Sequence, residues 1–97
     1  MPEGNANPLT ILATPTTVLE DNVTLAAVAA PLSAVSVPCK SVTIENVNTN
    51  AVVNVGGAVT QRYQLRAGAT ISIAIDDLNK VYVSGTPAQI ITFIAVN

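Results

Sequence analysis

From residue 41 onward, apolar and polar positions alternate with a period of two. In residues 41–45, Val42 and Ile44 share one face while Ser41, Thr43 and Glu45 share the other. In residues 51–55, Val53 and Val55 fall together. In residues 62–66, Tyr63 and Leu65 point inward and Arg62, Gln64 and Arg66 outward. Ile71, Ile73 and Ile75 line one side of the next run, and Val81 and Val83 one side of the run after it. Each is the pattern of a half-buried β-strand, whose successive side chains point to opposite faces. Residues 89–96 are apolar on both sides, which predicts a central strand or an edge covered by another subunit.

Turn residues separate these runs: Val37-Pro38, Asn48-Thr49-Asn50, Gly56-Gly57, Ala67-Gly68, Asp77-Leu78-Asn79 and Gly85-Thr86-Pro87. Short strands at such spacing predict a sandwich or barrel. The first forty residues read differently. Pro2, Pro8, Pro15, Pro31 and Pro38 cut them into short apolar pieces. Residues 9–13, 16–20 and 23–28 are each strand-like, with Asp21-Asn22 as a turn between the last two. Residues 26–30 are alanine-rich and also suit a helical turn. The expected fold is therefore all-β: a small β-sandwich, jelly-roll-like, with an extended N-terminal arm. It is one domain in two parts, with residues 1–34 as arm and first strands and residues 35–97 as the sandwich core. Residues 1–15 at least are expected to reach over a neighbouring subunit, or to order on binding.

Composition narrows the function. The chain has 97 residues, 49% of them hydrophobic but only 10% charged. An average soluble domain carries about 25% charged residues, and mixed charge keeps monomers apart. A chain without it is expected to live inside an assembly, and oligomerisation also stabilises so small a core. The four basic residues form no patch, so no nucleic-acid partner is expected. The run over residues 23–35 is too short to span a bilayer and contains Pro31, so no membrane partner is expected either. The N-terminus lacks a basic n-region and is not read as a secretory signal. Asn22-Val23-Thr24 matches a glycosylation sequon, a pattern common by chance.

Candidate chemistry is sparse. The chain has no His, hence neither the usual general base nor the commonest zinc ligand. Asp76 and Asp77 are two adjacent carboxylates in a chain with very few charges. Neighbours on a strand point to opposite faces, whereas acid–base pairs must converge on one bond. A hairpin or corner turn is the simpler reading. Calcium would need about six to eight oxygens, and Asp76, Asp77 and Asn79 fall short even with Glu45. Gly56-Gly57 leads into no helix and no Lys, so it reads as a tight turn or bulge and not a phosphate loop. Cys39 has no base to activate it and reads as a small buried hydrophobe. No cofactor is expected, and no enzymatic activity. Arg62 and Arg66, on one strand face, are candidates to grip a partner's carboxylate, or else charges that guard an exposed strand.

The order of elements in the second half carries a resemblance. Val37-Pro38-Cys39-Lys40 leads into Val42-Thr43-Ile44-Glu45-Asn46, then Val53-Asn54-Val55-Gly56-Gly57 and Leu65-Arg66-Ala67-Gly68-Ala69. Ile71-Ser72-Ile73 and Asp77-Leu78-Asn79-Lys80-Val81-Tyr82-Val83-Ser84-Gly85-Thr86 follow. Over about residues 35–96 this resembles small β-rich virion proteins of tailed bacteriophages, of the capsid decoration (cement) or head-fibre type. The resemblance implies a structural protein that binds and stabilises the assembled head, with the major capsid protein as partner. It implies a homo-oligomer, a trimer first because three-fold points are common docking sites on icosahedral shells. It places the protein on the capsid surface of the virion after synthesis in the bacterial host cytoplasm. Leu9, Ile11 and Leu12 of the arm, with Arg62 and Arg66, are the expected partner-binding residues. The alternative is a head-fibre, tail or receptor-binding module. Its loops should carry aromatic residues, yet Tyr63, Tyr82 and Phe93 all fall inside strand patterns.

Overall fold

The computed structural model describes residues 17–97, which form eight strands and one short 3-10 helix. The strands are β1 (Val18–Thr24), β2 (Ala30–Pro31), β3 (Ser41–Asn46), β4 (Val53–Gly56), β5 (Tyr63–Leu65), β6 (Thr70–Ala74), β7 (Tyr82–Ser84) and β8 (Ile90–Val96). All pairings are antiparallel. One sheet has the order β1-β8-β3-β6 and the other β2-β7-β4-β5. The pairs β1·β8, β2·β7, β3·β6 and β4·β5 nest inside one another like a single long hairpin. Wrapping that hairpin brings β8 against β3 and β7 against β4, which makes the two-sheet jelly roll.

The alternation explains the core. Val42 and Ile44 of β3, Val53 and Val55 of β4, Leu65 of β5, Val83 of β7, and Ile91, Phe93 and Ala95 of β8 all face the gap between the sheets and are buried. Leu25, Leu32, Leu78 and Val81 close the ends of the gap from the connections. β8 is a central strand, flanked by β1 and β3. Its second apolar face, with Ile90 and Ile94 exposed at 44% and 46%, lies on the outside of the sheet.

Three expectations need correction. Residues 16–20 and 23–28 are not two strands with a turn at Asp21-Asn22: β1 runs straight through, pairing Asp21 with Phe93 and Asn22 with Thr92. The hydrogen-bonded pairs are those of the odd β1 positions, from Thr17 with Asn97 to Leu25 with Gln89. The Asn22 N–H therefore points away from the sheet, and the Asp21 carboxylate accepts it at 2.8 Å. A local bond that elsewhere builds a turn here satisfies an edge donor. The alanine-rich residues 26–30 form no helix; Ala30 and Pro31 instead pair with Val83 and Tyr82. Tyr63 opposes Val55 but is 53% exposed, because β5 is an edge strand of three residues with nothing beyond it. The arm residues 1–15, with the strand-like residues 9–13, lie outside the described residues.

Gly56 and Gly57 have different duties. A Cβ on Gly56 would run into the backbone of Thr60 and Gln61, whereas one on Gly57 would meet open space. The turn closes on itself through Gly57 N–H to the Thr60 carbonyl at 3.0 Å. Gly56→Ala should therefore force the β4–β5 turn open and cost about 1–3 kcal/mol, while Gly57→Ala should be close to neutral. Parallel urea denaturation of the two variants checks this: equal losses would mean the close approach at Gly56 is not what holds the turn.

Candidate functional site

Asp76 and Asp77 sit where the chain leaves the first sheet at β6 and crosses to β7 in the second, so the turn is a corner between sheets. The two carboxylates diverge. Asp76 is exposed and pairs with Lys80 Nζ at 2.8 Å, an i, i+4 surface ion pair. Such a pair contributes little to stability. Asp77 caps the 3-10 helix (Leu78–Lys80) by accepting the Asn79 N–H at 3.0 Å. It also accepts the Val37 N–H at 2.9 Å and the Ser36 hydroxyl. One carboxylate thereby ties the β2–β3 connection to the β6–β7 corner, and an isolated bridge between Pro38 and Asp77 continues the contact. This is structural work.

The same bonds set the charge of Asp77. The Ser36 hydroxyl first, then the Asn79 and Val37 N–H groups, hold its pKa below the usual aspartate range; partial burial opposes them and Lys80 assists. The pKa is depressed in the folded state, so the contribution is present above the unfolded value near about 3.9 and is lost as pH falls through the lower, folded one. Wild-type protein should lose stability on acidification below about pH 4 more steeply than Asp77→Asn, which has no carboxylate there to titrate. Thermal melts of both from pH 6 to pH 2 read this out. Parallel pH profiles would mean Asp77 carries no such bonds.

Cys39 is buried and its thiol donates to the Ile75 carbonyl at 3.3 Å. Burial, and then the charges of Asp77 and Asp76, push its pKa up. A thiol held protonated in this way is a poor nucleophile. Arg62 and Arg66 are exposed at either end of β5, the outer strand of the second sheet. Leu9, Ile11 and Leu12 lie outside the described residues. Among the described residues no three His, Cys, Asp or Glu side chains gather as a metal site, and no helix is long and apolar enough to cross a membrane.

The most open surface is the outer face of the first sheet. Strand register places Val18, Val96, Ser41 and Ala74 in one row across it. Glu20, Ile94, Thr43 and Ser72 form the next row, and Asn22, Thr92, Glu45 and Thr70 the third. Thr43 and Ser72 hydroxyls bond each other at 2.8 Å. A shallow concavity of about 470 Å³ lies over the middle rows, between Glu20 and Glu45. The face holds hydroxyls, aliphatics and two carboxylates, a docking surface more than a reaction site. A smaller apolar recess of about 220 Å³ opens where β1 meets the β2–β3 connection, with Leu19, Leu32, Leu78 and Phe93 in its wall.

One polar centre escapes the strand reading. Asn46 ends β3 on the same inward face as Val42 and Ile44, and it is fully buried. Its Nδ2 donates to the Ala51 and Leu65 carbonyls, both at 2.9 Å. Its Oδ1 accepts from Asn50 Nδ2 at 3.0 Å, and Asn50 in turn reaches the Ile90 carbonyl at 2.8 Å. The signal was present: an inward polar position at the end of an alternating strand.

No family model matches the chain, and no curated protein matches it. Among solved structures it is similar to a chain of Bacillus endospore appendages, described as forming a novel family of disulfide-linked pili. That likeness has 22% identity and a TM-score of 0.43, over 82% of this chain and 88% of the other. It is also similar to a de novo designed double-stranded β-helix solved in solution, with 14% identity and a TM-score of 0.48 over 84% of this chain and all of the other. At these similarities no residue's role carries over from either.

Proposed function

We propose that the chain is a structural subunit that acts by docking in many copies, and that its setting is a tailed-phage head, where it decorates and stabilises the assembled shell. The observation that supports this best is the outer face of the first sheet. It exposes Ile90 and Ile94 among hydroxyls, and among the described residues no lysine or arginine lies in its three rows. Such a face has little to keep neighbouring proteins off it. The chemistry that the described residues do contain is structural: Asp77 is a cap and latch, and Cys39 packs in the core. Under this reading Arg62 and Arg66 meet carboxylates of the major capsid protein, and the arm with Leu9, Ile11 and Leu12 lies along it. A protein that binds only the assembled shell raises its stability by mass action, and several linked copies gain avidity.

Co-sedimentation with empty phage heads tests it, comparing full-length protein with a variant lacking residues 1–15. The expected result is saturable binding to heads, weakened at least about tenfold by the truncation. Full-length protein that ignores heads but binds host cells would replace this reading with a receptor-binding module.

A further inference from the structure

We infer that the open edge of β6 is completed by residues 9–14 of a second copy of this chain, added as a fifth strand of the first sheet. The inference deepens the assembly reading and rests on it. Natural sheets guard their edges with charge, proline or brevity, and three of the four edges here are guarded. β1 carries Glu20 and Asp21, and the Asp21 carboxylate covers the outward Asn22 N–H. β2 is two residues long and ends in Pro31. β5 is three residues long, between Arg62 and Arg66. β6 has none of these: Thr70-Ile71-Ser72-Ile73-Ala74 is uncharged and contains no proline.

The register shows what β6 offers. Asn46 N–H to the Ala69 carbonyl fixes which β3–β6 pairs exchange hydrogen bonds, and it agrees with β8, whose even positions bond Ser41, Thr43 and Glu45 on the other side of β3. By alternation these are Val42 with Ile73 and Ile44 with Ile71. The N–H and C=O groups of Thr70, Ser72 and Ala74 therefore point off the sheet. The Ile71 and Ile73 side chains pack on the core but are only half-buried, so the inner apolar face stops one strand short.

The occupant is argued from the sequence. Residues 9–14, Leu-Thr-Ile-Leu-Ala-Thr, are uncharged and lie between Pro8 and Pro15, which limit any ladder to these six residues. Leu9, Ile11 and Ala13 alternate with Thr10, Leu12 and Thr14. That repeats the alternation of β6, so the first set continues the inner row of Ile71 and Ile73 and the second joins the outer row. A chain cannot fill its own edge in this way. β1 and β6 are the opposite edges of the sheet, so a strand beyond β6 lies about 19 Å from β1. Three Cα–Cα steps separate Thr14 from Thr17 and reach about 11 Å at most. Pairing through Thr14 thus requires a neighbour.

Residue-resolved amide exchange on the full chain, at low and high protein concentration, tests this beside the double variant Ile11→Pro/Leu12→Pro. Adjacent N–H groups alternate in direction, so the double change removes a donor in either register. The expected result is that Ser72 and Ala74 amides slow at least about tenfold as concentration rises, and that the variant abolishes the slowing while other core amides stay protected. Association with Ser72 and Ala74 still fast, or slowing that survives in the variant, would overturn the strand addition and leave the assembly reading standing. A chain that stays monomeric would also overturn it, and binding to heads then judges the assembly reading separately.

Discussion

Replacing Asn46 by alanine is expected to lower the stability of the fold by about 2–4 kcal/mol, a fall in melting temperature of at least about 10 °C. The side chain is fully buried and uses both ends. Its amide nitrogen satisfies the carbonyls of Ala51 and Leu65, which belong to the β3–β4 connection and to β5. Its oxygen holds Asn50, which reaches β8 through the Ile90 carbonyl. One residue of the first sheet therefore satisfies polar groups of the second. Alanine leaves those partners unpaired in a dry place and opens a cavity as well. Asn46→Asp is the sharper comparison. It keeps the volume but replaces the donor with a carboxylate facing two carbonyl oxygens, and it should destabilise at least as much at neutral pH. Thermal melts of the three proteins decide this. A change of under about 1 kcal/mol for both variants would mean the network is not needed.

Ile44→Ala should cost a comparable amount, about 2–5 kcal/mol, for a different reason. Ile44 is fully buried on β3 and lies opposite Phe93 of β8 on one side and Ile71 of β6 on the other. Truncation removes apolar contact from the middle of the sandwich, where strands held on both sides cannot easily collapse into the space. Val59, 93% exposed in the β4–β5 turn, supplies the contrast. Val59→Ala should stay within about 0.5 kcal/mol of the parent. Urea midpoints with unchanged slopes would place the loss of Ile44 in the folded state. Similar midpoints for the two variants would contradict the assignment of the core.

How much of this was legible follows the physics of each element. β3 and β6 were readable because one face of each meets the core and the period of two records that fact directly, and β8 because a run apolar on both sides suits a strand with neighbours on either hand. β1 was not. An edge strand answers to a partner on one side only, so Asp21 and Asn22 remain in it even though the same pair elsewhere marks a turn. Tyr63 shows the reverse error. Its place in the alternation is inward, but the sheet ends at β5 and no neighbour covers it. Asp77 was read correctly as a turn residue at a corner. Its second duty, holding Val37 and Ser36 some forty positions away, depends on which connection the fold brings beside it, and no local pattern encodes that. Arg62 and Arg66 stand exposed as expected, while their proposed partner and the arm contacts at Leu9, Ile11 and Leu12 await the binding experiments.

The most direct test of the central claim, that this chain acts by docking in many copies, is sedimentation velocity of the purified protein over a wide concentration range, alone and with empty phage heads. The account predicts a discrete oligomer that builds with concentration and a fraction that moves with the heads. A single monomer boundary at every concentration, unchanged when heads are added, would contradict it.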